Sequence, residues 1–154
     1  MSFKYKADGQ KNVLDNIDLH IRSGETIGVI GGTGSAKTTL VQLIPRLYDV
    51  TEGDVKVGGV VAVGERGDEV MCLSDAAAKI RSGFKANHGD VTTIIVAQRI
   101  SSVEHADRII VLDDGRINAV GTHEELLKTN KIYQEVYNSQ TQGGGDFDKQ
   151  GGEQ

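Results

Sequence analysis

Apolar runs and glycine-marked turns alternate regularly in two blocks of the chain, one before residue 60 and one after residue 91. Residues 3–5 and 16–21 read as short strands. In the second, Ile17, Leu19 and Ile21 fall on one face and Asp18 and His20 on the other. After a Ser23-Gly24 turn, residues 26–30 form the compact apolar run expected of a parallel strand buried on both faces. A glycine-rich loop follows at 31–35. The spacing of Leu40, Leu43, Ile44 and Leu47 then predicts a helix over 36–48, which Pro45 should kink or end. Residues 54–57 and 60–63 flank a Gly58-Gly59 turn. In the middle, Ser74 is placed to cap a short helix reaching Arg81 and stopped at Gly83, with a polar loop over 85–90. Residues 92–96 form the next strand, and Ser101 to Glu104 fit a capping box opening a short helix. Residues 109–112 read as a strand that returns over 116–120 through Asp113-Asp114-Gly115. Thr122-His123-Glu124-Glu125 is a second capping box, opening a helix over 124–128, and a last helix is predicted over 130–138. Residues 139–154 are expected to be disordered.

Composition narrows the picture. The 154 residues hold 17 Lys and Arg against 22 Asp and Glu, a net charge of −5, so a broad basic face for nucleic acid is not expected. No apolar run approaches the ~18 residues of a membrane span, and the opening M-S-F-K-Y-K carries no apolar signal core, so a cytoplasmic protein is expected. The single cysteine, Cys72, excludes an internal disulfide and reads as a small hydrophobe. His20, His88, His105 and His123 include no pair at helical i, i+4 spacing, so a zinc site is not expected. Glycine is the outlier at 20 residues. Five of these lie after Ser139, and the others are requests from the backbone.

The strongest chemical signal is T-I-G-V-I-G-G-T-G-S-A-K-T-T-L, residues 26–40. A buried strand runs into a glycine loop and then a helix carrying Lys37-Thr38, the layout of a P-loop. Backbone N–H groups of Gly31, Gly32, Thr33, Gly34, Ser35, Ala36 and the residues that follow would face phosphate oxygens. Lys37 supplies a point charge to the β- and γ-phosphates, and the Thr38 hydroxyl is placed for Mg²⁺. The bland alternative is a glycine turn beside an exposed lysine. The P-loop pattern wants glycine where Ala36 stands. If that position needs φ > 0, a Cβ costs about 1–2 kcal/mol. If phosphate packs against it, the methyl blocks close approach. Either way weakened nucleotide binding is expected. These elements together predict an α/β, P-loop NTPase-like fold: a mainly parallel core sheet with flanking helices and an antiparallel N-terminal strand pair.

Residues 3–59 and 92–138, 104 of the 154, resemble the two ends of an ABC transporter nucleotide-binding domain of multidrug-exporter type. The carrying segments are V-L-D-N-I-D-L-H-I, the P-loop stretch to Thr39, L-I-P-R-L-Y-D-V-T-E-G-D-V, T-T-I-I-V-A-Q-R-I-S-S-V-E-H-A-D-R-I-I-V-L-D-D-G-R-I and G-T-H-E-E-L-L. The resemblance implies ATP and Mg²⁺ as ligands, Tyr5 as the aromatic stacking on adenine and Val13 near the base. Without it, Tyr5 reads as a packed strand aromatic. Gln98 stands where the family places its switch histidine. It can hydrogen-bond a γ-phosphate but cannot shuttle a proton.

Residues 60–90 do not match the family. Its glutamine loop, helical subdomain, L-S-G-G-Q signature and Walker B strand are not found there, and Leu73-Ser74-Asp75 lacks the signature glycines. Residues 109–114, I-I-V-L-D-D, mimic a Walker B but align with a later strand and turn of the family. Three readings follow. The first is an ATP-binding module, paired with a second such domain or with itself, in which hydrolysis is weak or absent. The second is a compact ATPase in which Gly64-Glu65-Arg66, similar to a strand-end motif of rotary ATPases, takes a vacant place beside the P-loop strand so that Glu65 supports catalysis. The third is an internally deleted remnant whose P-loop strand, lacking a neighbour, exposes its edge. The domain boundaries expected are 1–138 for the folded part and 139–154 for the tail.

Overall fold

The computed structural model describes residues 1–6, 11–45, 47–57, 60–61, 71–73 and 92–142. The expected helix over 74–81, the loop over 85–90 and the 64–66 segment lie outside them.

Strand β1 (Thr26–Ile30) is the axis of the fold. It is followed by α1 (Lys37–Gln42), the short antiparallel pair β2 (Lys56–Val57) and β3 (Val60–Val61), then β4 (Met71–Leu73) and β5 (Thr93–Ala97). A 3₁₀ turn at Ile100–Ser102 leads to the hairpin β6 (Arg108–Asp113) and β7 (Arg116–Gly121), and to helices α2 (His123–Thr129) and α3 (Lys131–Thr141). The main sheet has the order β4-β5-β1-β6-β7. β5 and β6 flank β1, both parallel to it; β4 is parallel to β5, and β7 closes the edge antiparallel to β6.

Period-two alternation sorts the side chains of this sheet into two cores. Ile27, Val29, Ile94, Ile110 and Leu112 face one side and pack with Phe3, Leu14, Ile17 and α1 residues Leu40 and Val41. Ile30, Ile95, Ala97, Ile109 and Val111 face the other, under Ile100, Val103 and the helix residues Leu126, Tyr133 and Val136. Gly28 lies on this second side because Val103 presses onto the strand there: an added Cβ would stand 2.6 Å from Val103 Cβ.

Two expectations are corrected here. β1 has no vacant place beside it, since both its edges carry ladders; Val60–Val61 pairs with β2 in a separate sheet instead. For the same reason the P-loop strand exposes no edge. The strand beyond β5 is β4, Met71–Leu73, parallel to it.

The N-terminal antiparallel pair is reduced to single bridges, Phe3 to Leu14 and Ser2 to Glu52. Residues 16–21 form no strand, although Ile17 is buried and Asp18 and His20 are exposed as the alternation requires. Asn16 takes φ 50°, a left-handed conformation that breaks an extended path. The predicted helix over 36–48 shortens to α1 and a turn at Leu43–Pro45. Ser101 caps no helix: the 3₁₀ turn begins after Arg99 with no side-chain cap. The Thr122 capping box is present in both directions, and Asn130 caps α3, which reaches Thr141.

At the sheet end opposite the glycine loop, Glu25 grips Arg108. The guanidinium donates from Nε to Oε1, from Nη2 to Oε2 at 2.7 Å, and from Nη2 to the His20 carbonyl at 2.6 Å. This bond to Arg108 holds the Glu25 carboxyl below its ordinary value of 4.5. A carboxylate with a depressed folded pKa contributes stability that is complete above its unfolded value and is lost as pH falls through the folded one. Denaturant titrations should therefore show stability falling as pH drops below about 4.5, with a shallower fall in Glu25→Gln.

Candidate functional site

The glycine loop leaves β1 where the sheet's parallel strands end. Ile30 is in register with Ala97 on one side and Val111 on the other, so Gly31 and Gln98 emerge at the same end of the sheet. Ligands of open α/β sheets collect at this carboxyl end. Gly31 is fixed by close approach: a Cβ would lie 2.3 Å from the Leu112 carbonyl oxygen and 2.6 Å from Ser35 Oγ. Gly34 has φ 79°, and a Cβ there would meet nothing within 4 Å, so the crest of the loop is open.

Ala36 has the positive φ that its sequence position allows for. It has φ 69° and ψ 23°, left-handed backbone, and precedes α1 without a side-chain cap. Its methyl group therefore stands in a conformation that glycine adopts at no steric cost.

Lys37 folds back over the loop. Its Nζ donates to the carbonyls of Gly31 at 2.6 Å and Gly32 at 2.8 Å, and lies 3.4 Å from Ser35 Oγ. The ammonium thus closes the loop into a ring of backbone. Thr33, Gly34 and Thr38 are exposed, and Ser35 and Thr39 are buried. A cation, the hydroxyls of Ser35 and Thr38, and an open glycine crest form a donor set that fits a polyphosphate. Thr38 would offer one hydroxyl to a Mg²⁺ ion brought in with the polyphosphate. Among the described residues no group of three or more His, Cys, Asp and Glu could hold a metal by itself.

Tyr5 comes to this loop from 34 residues away: its hydroxyl and that of Thr39 share a hydrogen bond of 2.8 Å. Its ring, half exposed, meets Phe3 edge-on at 5.0 Å and Tyr48 at 5.1 Å. Val13 is half-buried against the core on the α1 side of the sheet. Gln98 follows directly on β5, and its carbonyl accepts from Gln140 Nε2 at 3.1 Å. Gln140 Oε1 accepts from the Ile100 N–H at 2.9 Å, so one amide on α3 brackets the chain just after Gln98. Glu65 lies outside the described residues.

Several supporting residues carried no local signal. Lys11 Nζ is ion-paired with Asp114 at 2.6 Å, and Arg116 donates to Asp15 at 3.0 and 2.5 Å. The Asp15 carboxyl is held below its ordinary range by hydrogen bonds from Asn12 and then Arg116. The Val13 carbonyl presses on Gly115, where a Cβ would be 2.1 Å away. The Asp113-Asp114-Gly115 turn therefore anchors the strap that carries Val13. A polar cleft of about 740 Å³ opens along it, lined by Lys4, Lys11, Asn12, Asp15, Asp113 and Arg116 among others.

A strand, glycine loop and lysine-bearing helix on a sheet with β5 inserted beside β1 define the P-loop NTPase class. Against solved structures, the chain aligns with a bacterial Atm1-family ABC exporter with ATP bound, at TM-score 0.79 and 18% identity over 90% of this chain and 41% of that one. The ABC transporter family model matches residues 14–140, and the chain belongs to that family. Curated relatives include an ATP-dependent lipid A-core flippase of Cupriavidus pinatubonensis, 25% identical over 229 residues, 86% of this chain and 39% of the relative. Another, from Staphylococcus aureus strain NCTC 8325 and provisionally named as a multidrug export ATP-binding/permease protein, is 26% identical over 233 residues, 91% of this chain and 40% of the relative. The chain thus spans about two fifths of the length of the curated relatives it matches. The alignment of 229 positions takes in 86% of this chain's 154 residues, about 132, so about 97 of its positions have no counterpart here.

Replacing Ala36 by glycine should relieve about 1–2 kcal/mol of left-handed strain against about 0.4–1 kcal/mol of added freedom in the unfolded chain, a small net stabilisation. A raised urea midpoint with an unchanged slope is the expected result.

Proposed function

We propose that this chain is an ATP-binding module of ABC type with weak or absent hydrolysis, working at the cytoplasmic face of a membrane beside a second nucleotide-binding domain. The observation that carries the reading is the seating of Lys37 Nζ on the Gly31 and Gly32 carbonyls, at the end of a strand flanked by parallel neighbours. An ammonium held there lies where β- and γ-phosphates would meet the loop, with Tyr5 at the base side and the Thr38 hydroxyl toward Mg²⁺. Bound Mg²⁺ would neutralise phosphate charge; the chain's own residues orient the nucleotide.

Turnover needs a metal-binding carboxylate, a base and charge stabilisation all in place. The sequence shows no Walker B aspartate-glutamate pair and no signature motif, and Gln98 cannot act as a proton shuttle. Each missing donor of this kind lowers a rate by about 10²–10³-fold. Among the described residues no helix is long and apolar enough to cross a membrane, so a transport role would require membrane segments from elsewhere.

Calorimetric titration with Mg-ATP should show saturable binding to the wild-type chain. Lys37→Ala should weaken it by at least about tenfold, as expected for loss of a charge-assisted bond. Equal affinity in both proteins, or none in the wild type, would remove the reading.

A further inference from the structure

A side-chain hydrogen bond ties the N-terminal strap to the helix that follows the glycine loop. Thr39 is 7% exposed and held in the first turns of α1, directly behind the phosphate loop. Tyr5 is 51% exposed, at the end of an N-terminal strap held by bridges from Ser2 to Glu52 and Phe3 to Leu14 and by the Lys4 N–H donating to Thr51 Oγ1 at 2.9 Å. Among the described residues no ladder bond of Tyr5 itself sets its ring. Phe3 and Tyr48 contact the ring at interplanar angles of 81° and 90°, which limits its tilt, and the 2.8 Å bond to Thr39 Oγ1 fixes its outer end. The buried Thr39 hydroxyl is the rigid partner and the tyrosine the adjustable one.

We propose that Thr39 is a positioning residue: through the Tyr5 hydroxyl it sets the aromatic platform that receives the base, and so makes the site select a nucleoside triphosphate over a bare polyphosphate. This rests on the ATP-binding reading above. It assigns the phenol hydroxyl of Tyr5 a role distinct from that of its ring. A ring alone supplies stacking; a ring tethered to α1 supplies stacking already aligned with the phosphate loop, which lowers the ordering cost of binding.

The test compares Mg-ATP with inorganic tripolyphosphate by calorimetry on the full chain. Tyr5→Phe keeps the ring and removes the tether. Its affinity for Mg-ATP should fall about threefold to tenfold, the range of one hydrogen bond, while tripolyphosphate shows no such loss. Thr39→Val should lower Mg-ATP affinity, and Tyr5→Phe added to it should bring no further loss. Thr39→Ser, which restores a hydroxyl, should recover the affinity that Thr39→Val loses. Wild-type Mg-ATP affinity in Tyr5→Phe, in a protein whose binding Lys37→Ala still destroys, overturns the tether and leaves the ATP-binding reading standing. Equal losses for both ligands, or additive effects of the two substitutions, also overturn it. A wild-type chain that binds neither ligand removes the ATP-binding reading and the tether with it.

Discussion

The structure depends on β1 being held from both sides. Its ladders with β5 and β6 use the hydrogen-bonding capacity of both strand edges, and its side chains serve both cores. That double constraint aims the chain as it leaves the sheet. Gly31 departs into a space bounded by the Leu112 carbonyl, which no Cβ could share, so the loop's first step is set by the neighbouring strand. α1, at six residues, is too short to fix a loop by its own stability. The rigidity of the candidate site comes from the sheet beneath it.

On that base the site is assembled from distant pieces by small contacts. Lys37 closes the loop against its own carbonyls. Thr39 reaches back to Tyr5, and the strap bearing Val13 rests on a hairpin turn about a hundred residues later through Lys11 to Asp114 and Asp15 to Arg116. These last pairs lie at the surface, where solvent screens them, so they guide the strap more than they stabilise the fold. The close seat of Val13 on Gly115 is the firmer contact, since any larger residue in the turn would displace it.

What could be read from the sequence was what is local. The run over 26–30, the Asp-Asp-Gly turn and the Thr122 capping box each state their structure within a few residues, and each is found. Alternation over 16–21 reported correctly which side chains are buried, yet a strand also needs a partner, and Asn16 turns away from one. The Ser101 box failed similarly: the N–H at Ile100 is satisfied by Gln140, forty residues on. Strand order has no local signature, so the sequence alone does not show that β5 stands beside β1. Within the candidate site, the glycine loop is legible from its glycines and Lys37, and the sequence leaves the left-handed conformation of Ala36 as one of two possibilities. The Tyr5 to Thr39 bond was not legible, because only the fold brings residue 5 to residue 39.

Native-state hydrogen exchange, recorded without and with saturating Mg-ATP, tests the central claim most directly. A strand clamped by two parallel neighbours should place the amides of residues 27–30 among the slowest in the chain, and nucleotide should slow exchange chiefly over residues 31–39. Fast exchange in that strand, or a loop indifferent to Mg-ATP, would contradict the account.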